Sequence, residues 1–483
     1  MDEKKPFLRF ASPNERRTIS RENLGYYHAV IVGAVYGFAS GVNVKSPQSY
    51  FSPIRRCIEE HPFLSALVAD RHTDKAFYQR IRTINIEEHI TILDPVSEDS
   101  WDAAQYVLRS NLDCPFSHDV PPWRVVVLPF VSSLSQPSSS RCFVAFAYSH
   151  TILDGPSGVA FHRTFLSAMR TSGTDDNVSP NSSRIITTPD RPLPPPFDTP
   201  EKLCISWGFL LGPLIAALLP TFLANWLGLK AQASTIDTGT WTGSPGFFDP
   251  TTSHSKIIVR EIEAPLIENA VRAARTHGAK LTATMDQVVA RALSKQFSSD
   301  PKITNFVSGT PINLRQAAGV AANEMGEFAS GVFSAHPCIG PSTSLSDDEW
   351  NAARSHTEKL ADASSRLWDQ PIGLLRYLPS IRKWMAAKPG QQRDSSFELS
   401  NVGAFHDEGE DSDKAKARIE QMVFAQPGMV VGSPICVNVA SVKGGSLVYT
   451  VTWANGALGI PEADEERFIG ALCDSIRDDF ERF

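Results

Sequence analysis

Long runs of apolar residues, broken by short polar stretches, set the layout of this chain. "NLGYYHAVIVGAVYGF", residues 23–38, is continuously apolar, which fits either a core strand or a core helix. "SYFSPIRRCIEEHPFLSALVAD", residues 49–70, reads as a short helix, a break at His61 and Pro62, and a strand. "PPWRVVVLPFV" and "RCFVAFAYS" are two strands of a central sheet, separated by "SSLSQPSSS", a surface loop by its Ser and Pro content.

Beyond this the composition changes. Residues 171–200 are rich in Ser, Pro, Asp and Asn and end in "RPLPPPFDTP", an extended linker. A second half begins near His254 with the strand "KIIVREIE" and two helices. In "LTATMDQVVARALSKQF", Met285, Val288, Val289, Ala292 and Leu293 recur at helical spacing, so one buried face is expected. "ITNFVSGTPINLR", "SPICVNVASV" and "SLVYTVTW" read as further strands, "HDEGEDSDKAKAR" as a solvated loop, and residues 462–480 as a closing helix. Strands and helices alternate in both halves, which predicts an α/β (α+β) fold in two lobes. The expected division is 1–188 for the first lobe, 189–252 for a Pro-rich and apolar crossover, and 253–483 for the second.

Composition narrows the function classes. The 483 residues exceed a single typical domain, and 46 Lys plus Arg against 53 Asp plus Glu give a net charge of −7. No basic stripe offsets that charge, so a nucleic-acid partner is not expected. Seven cysteines stand singly with no metal-ligand spacing, and they read as reduced packing residues with no metal site. The opening "MDEKKPFLRF" lacks the apolar core of a signal peptide, so a cytoplasmic chain is expected.

The candidate chemistry lies at the end of "FVAFAYS", where the chain continues as "HTILDG". A strand leaving an open α/β sheet is where ligands bind, and His150 stands at that point. A neutral imidazole there is a candidate general base. Asp154 can either orient the imidazole or pair with an arginine to lock the turn, and Gly155 lets the backbone turn sharply without a Cβ clash. The plain alternative is a satisfied core-edge histidine followed by an aspartate N-cap. The pattern HxxxDG arises by chance in roughly one chain of this length in twenty to thirty. A nucleophile elbow and the glycine patterns of nucleotide-binding loops are both missing, so hydrolase, kinase and dinucleotide readings lack support.

Around that motif stand "PPWRVVVL", "WTGSP" at 241–245, "GTPINLR" at 309–315, "ELSNVGAF" at 398–405 and "SLVYTVTW". In this order and spacing the chain resembles the fungal alcohol acetyltransferase family. That family is a branch of the CoA-dependent HxxxD acyltransferases, which include plant BAHD enzymes, chloramphenicol acetyltransferase and peptide-synthetase condensation domains. The resemblance implies two chloramphenicol-acetyltransferase-like lobes with a channel between them and His150 at its midpoint. Acyl-CoA, most simply acetyl-CoA, enters from one mouth and an alcohol or amine from the other. It also implies a monomer with no bound cofactor. His150 is then the catalytic base, and Asp154 pairs with Arg315 of "PINLR", beside Asn313, to close the turn that aims the histidine. Ser400 and Asn401 are expected to offer hydrogen bonds toward the channel, and Gly403 to allow close backbone packing. Two departures matter: the BAHD motif DFGWG is missing, and the second histidine of condensation domains is replaced by Ser149, which argues against synthesis on carrier proteins.

The uncharged stretch 205–229 is long enough to span a bilayer, but Pro213 and Pro220 divide it. A single crossing would also put His150 and Arg315 on opposite sides of the membrane. That leaves a packed helical hairpin, which we favour, or an interfacial patch on a membrane or lipid droplet. Either implies a lipophilic acceptor. O-acetylation of a lipophilic alcohol or secondary metabolite is the expected activity. The alternatives are N-acetylation of a lipophilic or sphingoid amine, and an idle lobe pair that binds an acyl carrier or a lipid.

Overall fold

The computed structural model describes residues 5–39, 42–97, 101–131, 140–171, 184–220, 223, 234–340, 343–407 and 416–483. The expected loop at 132–139, much of the linker before residue 184, most of the charged loop after residue 407, and the second half of the apolar stretch lie outside the described residues.

The strands of the first half are β1 (Phe7–Phe10), β2 (Ala29–Phe38), β3 (Ala66–Ala69), β4 (Phe77–Arg80), β5 (Thr83–Asn85), β6 (Ile90–Ile92), β7 (Trp123–Phe130), β8 (Ser140–Ser149) and β9 (Ile185–Thr187). Those of the second half are β10 (Ser255–Ile262), β11 (Asn305–Asn313), β12 (Ala329–Pro337), β13 (Phe397–Phe405), β14 (Ala417–Ala425), β15 (Ile435–Val442) and β16 (Leu447–Ala454). The helices are α1 (Pro13–Asn23), α2 (Gln48–Glu60), α3 (Trp101–Leu112), α4 (Gly155–Thr171), α5 (Trp207–Leu218), α6 (Ala264–Thr276), α7 (Leu281–Gln296), α8 (Asp347–Ser365), α9 (Ile381–Ala386) and α10 (Glu462–Phe480).

Two sheets organise the molecule. One has the order β14-β2-β8-β7-β6, the other β10-β16-β15-β13-β11-β12. The ambiguous apolar run is the interior strand β2, between β14 and β8, buried along its whole length, because helices cover one face and a second core covers the other. Helix α2 ends at His61, where Pro62 opens a short 3-10 turn leading into β3, as the His-Pro break requires.

The sheets do not divide cleanly at residue 253. Strand β14, from the second half, pairs antiparallel with β2, with Met422 opposite Ala34. Ile257, Val259 and Val448 of the second sheet also pack into the same core as Ile31, Ala145 and Val423. The halves are thus joined by a shared strand and a shared core.

Helix α7 departs from its amphipathic pattern. Every residue from Ala283 to Ser294 is buried, because the second sheet covers one face and α8 and α10 flank the others. Arg291 sits within this wrapping with Glu349 at 2.6 Å and Asp479 at 3.4 Å, the pairing that a buried guanidinium needs.

The described part of the apolar stretch is α5. Ser206 caps it, accepting from the Phe209 N–H at 3.2 Å, and Asp369 accepts from the Ser206 N–H at 2.7 Å. Trp207, Leu211 and Ile215, spaced four apart on one helix face, are exposed, so that face is not packed on the channel. Among the described residues no helix is long and apolar enough to cross a membrane.

Candidate active site

His150 follows directly on β8, where the strand leaves the sheet beside β2. It borders a cavity of about 700 Å³, a size suited to a small organic substrate. The walls come from both halves: His150, Asp154 and Gly155 from one, Asn313, Ser400 and Asn401 from the other. Arg315 is buried and Gly403 is exposed, and neither lines the cavity.

Asp154 takes two of its three candidate roles, helix N-cap and arginine partner. Its Oδ1 accepts from the Ser157 N–H at 3.1 Å, which makes it the N-cap of α4. It also receives both guanidinium nitrogens of Arg315, at 2.7 and 2.8 Å, and the Phe328 N–H at 3.1 Å. Both partners are buried. Burial raises the Asp154 carboxyl, but the Arg315 charge and these hydrogen bonds outweigh it, and the group is held below the usual carboxylate range. Asn313 Oδ1 braces the same guanidinium at 3.2 Å, and Arg315 Nε donates to the Glu324 carbonyl at 2.8 Å.

Asp154 makes no hydrogen bond to His150 among the described residues. That place is taken by Glu327, whose Oε1 lies 2.5 Å from His150 Nδ1. Glu327 is carried by the 324–328 turn that Asp154 and Arg315 tie down: its neighbour Gly326 donates to Ser157 Oγ at 3.1 Å, and its other neighbour is Phe328. The Glu327 side chain is 1 % exposed and His150 16 %, so the carboxylate is hidden while the imidazole reaches the cavity. With Glu327 ionised, Nδ1 carries the proton and Nε2 presents its lone pair. Burial pushes the Glu327 carboxyl up and the adjacent imidazole opposes this.

Sequence reasoning did not find Glu327. A lone glutamate between Gly326 and Phe328 looks like any surface charge, and only the fold brings it back to residue 150.

Of the two glycines, only Gly403 acts differently from expectation. Gly155 is needed for close approach: a Cβ there would lie 2.9 Å from Val402 Cγ1. Gly403 has open space around it, so close packing is not its role; its φ of +90° is the reason for glycine, at a bulge where the β13–β15 register slips. Asn401 spends its side chain on that bulge, accepting from the Gly403 N–H at 2.8 Å and donating to Thr282 Oγ1 at 3.0 Å. The Ser400 hydroxyl lines the cavity without a hydrogen bond among the described residues.

Other charged groups surround the base. Glu398 lines the cavity with its carboxyl raised by burial, and its Oε1 accepts from Gln426 Nε2 at 2.9 Å. The Tyr27 ring meets His150 edge-on at 5.6 Å. Arg17 lines the cavity, its guanidinium pulled down to about 10 by burial and by Arg21 beside it. Ser149, in the position that differs from condensation domains, is buried and bonded to Glu22 and Thr151, away from the cavity wall.

This architecture is that of two-lobed acyl-transferring enzymes. TRI3 trichothecene 15-O-acetyltransferase from Fusarium sporotrichioides superposes with a TM-score of 0.67 at 12% identity, over 98% of this chain and 94% of that one. The starter condensation domain of rhizomide synthetase, solved with C8-CoA and Leu-SNAC, superposes with a TM-score of 0.58 at 14% identity, over 98% and 94% of the two chains. The alcohol acetyltransferase family model matches residues 86–474, and the chain belongs to that family. A probable alcohol acetyltransferase, FCK4 of Fusarium pseudograminearum, is 24% identical over 378 residues, 75% of this chain and 70% of that protein. An uncharacterized Schizosaccharomyces pombe protein is 24% identical over 448 residues, 90% of this chain and 89% of its own length. The protein is an acyltransferase, and its family implies an acyl-CoA co-substrate.

Proposed function

We propose that the protein transfers an acetyl group from acetyl-CoA to the hydroxyl of a lipophilic alcohol, with His150 as general base. The observation that carries this reading is the His150–Glu327 pair: a buried carboxylate on Nδ1 leaves Nε2 as the proton acceptor facing the cavity. Nε2 takes the hydroxyl proton as the oxygen attacks the thioester carbonyl, and the imidazolium returns it to the departing thiolate. Glu327 stabilises the imidazolium formed in between. Asp154 and Arg315 hold the turn, Asn313, Ser400, Asn401 and Gly155 shape the walls around it, and Gly403 forms the bulge that Asn401 braces. General acid–base catalysis of this kind is worth about 10²–10⁴-fold.

The apolar side chains Ile372, Leu374, Leu375 and Leu378 on the cavity wall support a lipophilic acceptor. The exposed face of α5, with Trp207, Leu211 and Ile215, supports a peripheral contact with a membrane or lipid droplet.

The test is acceptor-dependent CoA release from acetyl-CoA over a panel of alcohols and amines, with mass analysis of the product. An acetyl ester, formed by the native protein and lost in His150→Ala, is the expected result. An amide product, or release that persists without His150, contradicts the reading.

A further inference from the structure

Helix α1 places Arg17 and Arg21 one turn apart, and both line the reaction cavity. Elsewhere the buried guanidinium groups are either paired with carboxylates, as Arg315 with Asp154 and Arg291 with Glu349, or bonded to backbone carbonyls, as Arg393 to those of Ser244, Met429 and Gly432. These two differ. Arg17 spends Nε on Asn14 Oδ1 at 3.1 Å, and Arg21 lies over the Tyr27 ring, 3.7 Å from its centroid. Among the described residues neither forms an ion pair. The acidic groups nearby are Glu327, bonded to His150, Glu398, which accepts from Gln426, and Glu22, bonded to Ser149; they act on the two arginines through space without a direct ion pair.

Their position is specific. Tyr27 carries Arg21 on its face and packs against the His150 ring, so Arg21 stands one aromatic ring away from the base. Helix α1 packs against α9 and the 371–377 segment. Ile372, Leu374 and Leu375 of that segment, with Leu378 and Trp384, supply the apolar wall. The same end of the cavity therefore offers a base, a greasy wall and two unpaired guanidinium forks, which are well suited to a carboxylate.

We propose that Arg17 and Arg21 form an anion-binding subsite, and that the acceptor is a lipophilic hydroxy acid whose carboxylate they hold while its hydroxyl meets His150. This rests on the acetyl-transfer reading above and names the substrate class of the same site. The phosphates of CoA are the other source of negative charge; the apolar wall beside the arginines favours the acceptor.

The experiment compares ω-hydroxydodecanoic acid with its methyl ester, which keeps the chain and the hydroxyl but removes the charge. With the native protein, kcat/KM favours the acid. Arg17→Gln and Arg21→Gln each reduce that preference by about 10- to 100-fold, mainly through KM, and Arg17→Lys retains part of it because the charge remains without the fork. Thermal melting establishes that each variant is folded. Equal losses on acid and ester overturn the proposal, since the arginines would then serve the fold or the transition state. A loss seen with acetyl-CoA and not with S-acetylpantetheine, which lacks phosphates, overturns it in favour of a donor subsite. Calorimetric binding of the acid to His150→Ala, with and without Arg17→Gln, separates the two readings. Arg17-dependent binding in a chain that acetylates nothing keeps the subsite and refutes the transferase reading; turnover of neutral alcohols with no preference for the acid does the reverse.

Discussion

Removing one member of the Asp154–Arg315 pair should cost far more than removing an ordinary surface ion pair. Arg315→Met leaves the Asp154 carboxylate buried. It keeps the Ser157 N–H at 3.1 Å, the Ser157 hydroxyl at 2.7 Å and the Phe328 N–H at 3.1 Å, but loses both charged donors. Asp154→Ala leaves a buried guanidinium with neutral acceptors only: the Glu324 carbonyl at 2.8 Å, Ser157 Oγ at 3.0 Å and Asn313 Oδ1 at 3.2 Å. Breaking a buried pair from one side costs about 3–5 kcal/mol, against roughly 0–1 kcal/mol for an exposed one. The double variant removes both charges, so it should be more stable than the two single losses added together, by about 2 kcal/mol or more. Urea unfolding of the four proteins measures this. The pair also carries a pH signature. The native Asp154 carboxyl is held low, so its stabilisation is present above the ordinary carboxylate pKa and is lost as pH falls through the lowered native value. Arg315→Met should lose that acid dependence. Single variants costing under about 1 kcal/mol, or costs that simply add, would refute the reasoning.

Other consequences are open to direct measurement. Glu327→Gln removes the charge that fixes the Nδ1–H tautomer, and kcat should fall by roughly 10²–10⁴-fold with little change in acetyl-CoA binding; an unchanged kcat would remove Glu327 from the mechanism. Burial lifts the Glu22 carboxyl to about 7, so the native state loses stability as pH rises from the ordinary glutamate value to about 7 and stays level above it. Glu22→Gln should therefore flatten that slope and stabilise the protein at alkaline pH by up to roughly 3 kcal/mol, read from unfolding midpoints across pH. Gly155→Ala puts a methyl group 2.9 Å from Val402 Cγ1 and should cost about 1–3 kcal/mol, with Val402→Ala recovering much of it in a second unfolding series.

Much of this was legible along the chain because it depends on local pattern. Continuous apolarity marked β7 and β8, and a histidine closing such a strand marked the site. The pairing of Asp154 with Arg315 came from resemblance, since spacing alone left the aspartate two roles. Glu327 and the arginine pair stayed hidden for a different reason: a single Glu in "MGEFA", or Arg17 and Arg21 in the polar helix "PNERRTISREN", carries no local sign of burial. Their roles follow from long-range closure, which brings residue 327 to residue 150. Strand β14 was missed on similar grounds. Its pairing with β2 across the lobe division is a matter of topology, and "RIEQMVFA" is polar at its start. Helix α7 shows the limit of periodicity, since its polar face is buried by α8 and α10 with charges of their own.

The central claim is that His150, held by Glu327, acts as the base and does not serve to bind the donor. The most direct test measures kcat at saturating acetyl-CoA and acceptor, together with the calorimetric Kd for acetyl-CoA, in the native protein and in His150→Ala. The account predicts a loss of at least about 10²-fold in kcat with a Kd changed by no more than about 2-fold. Near-native turnover in the variant, or a loss that lies wholly in donor binding, would contradict it.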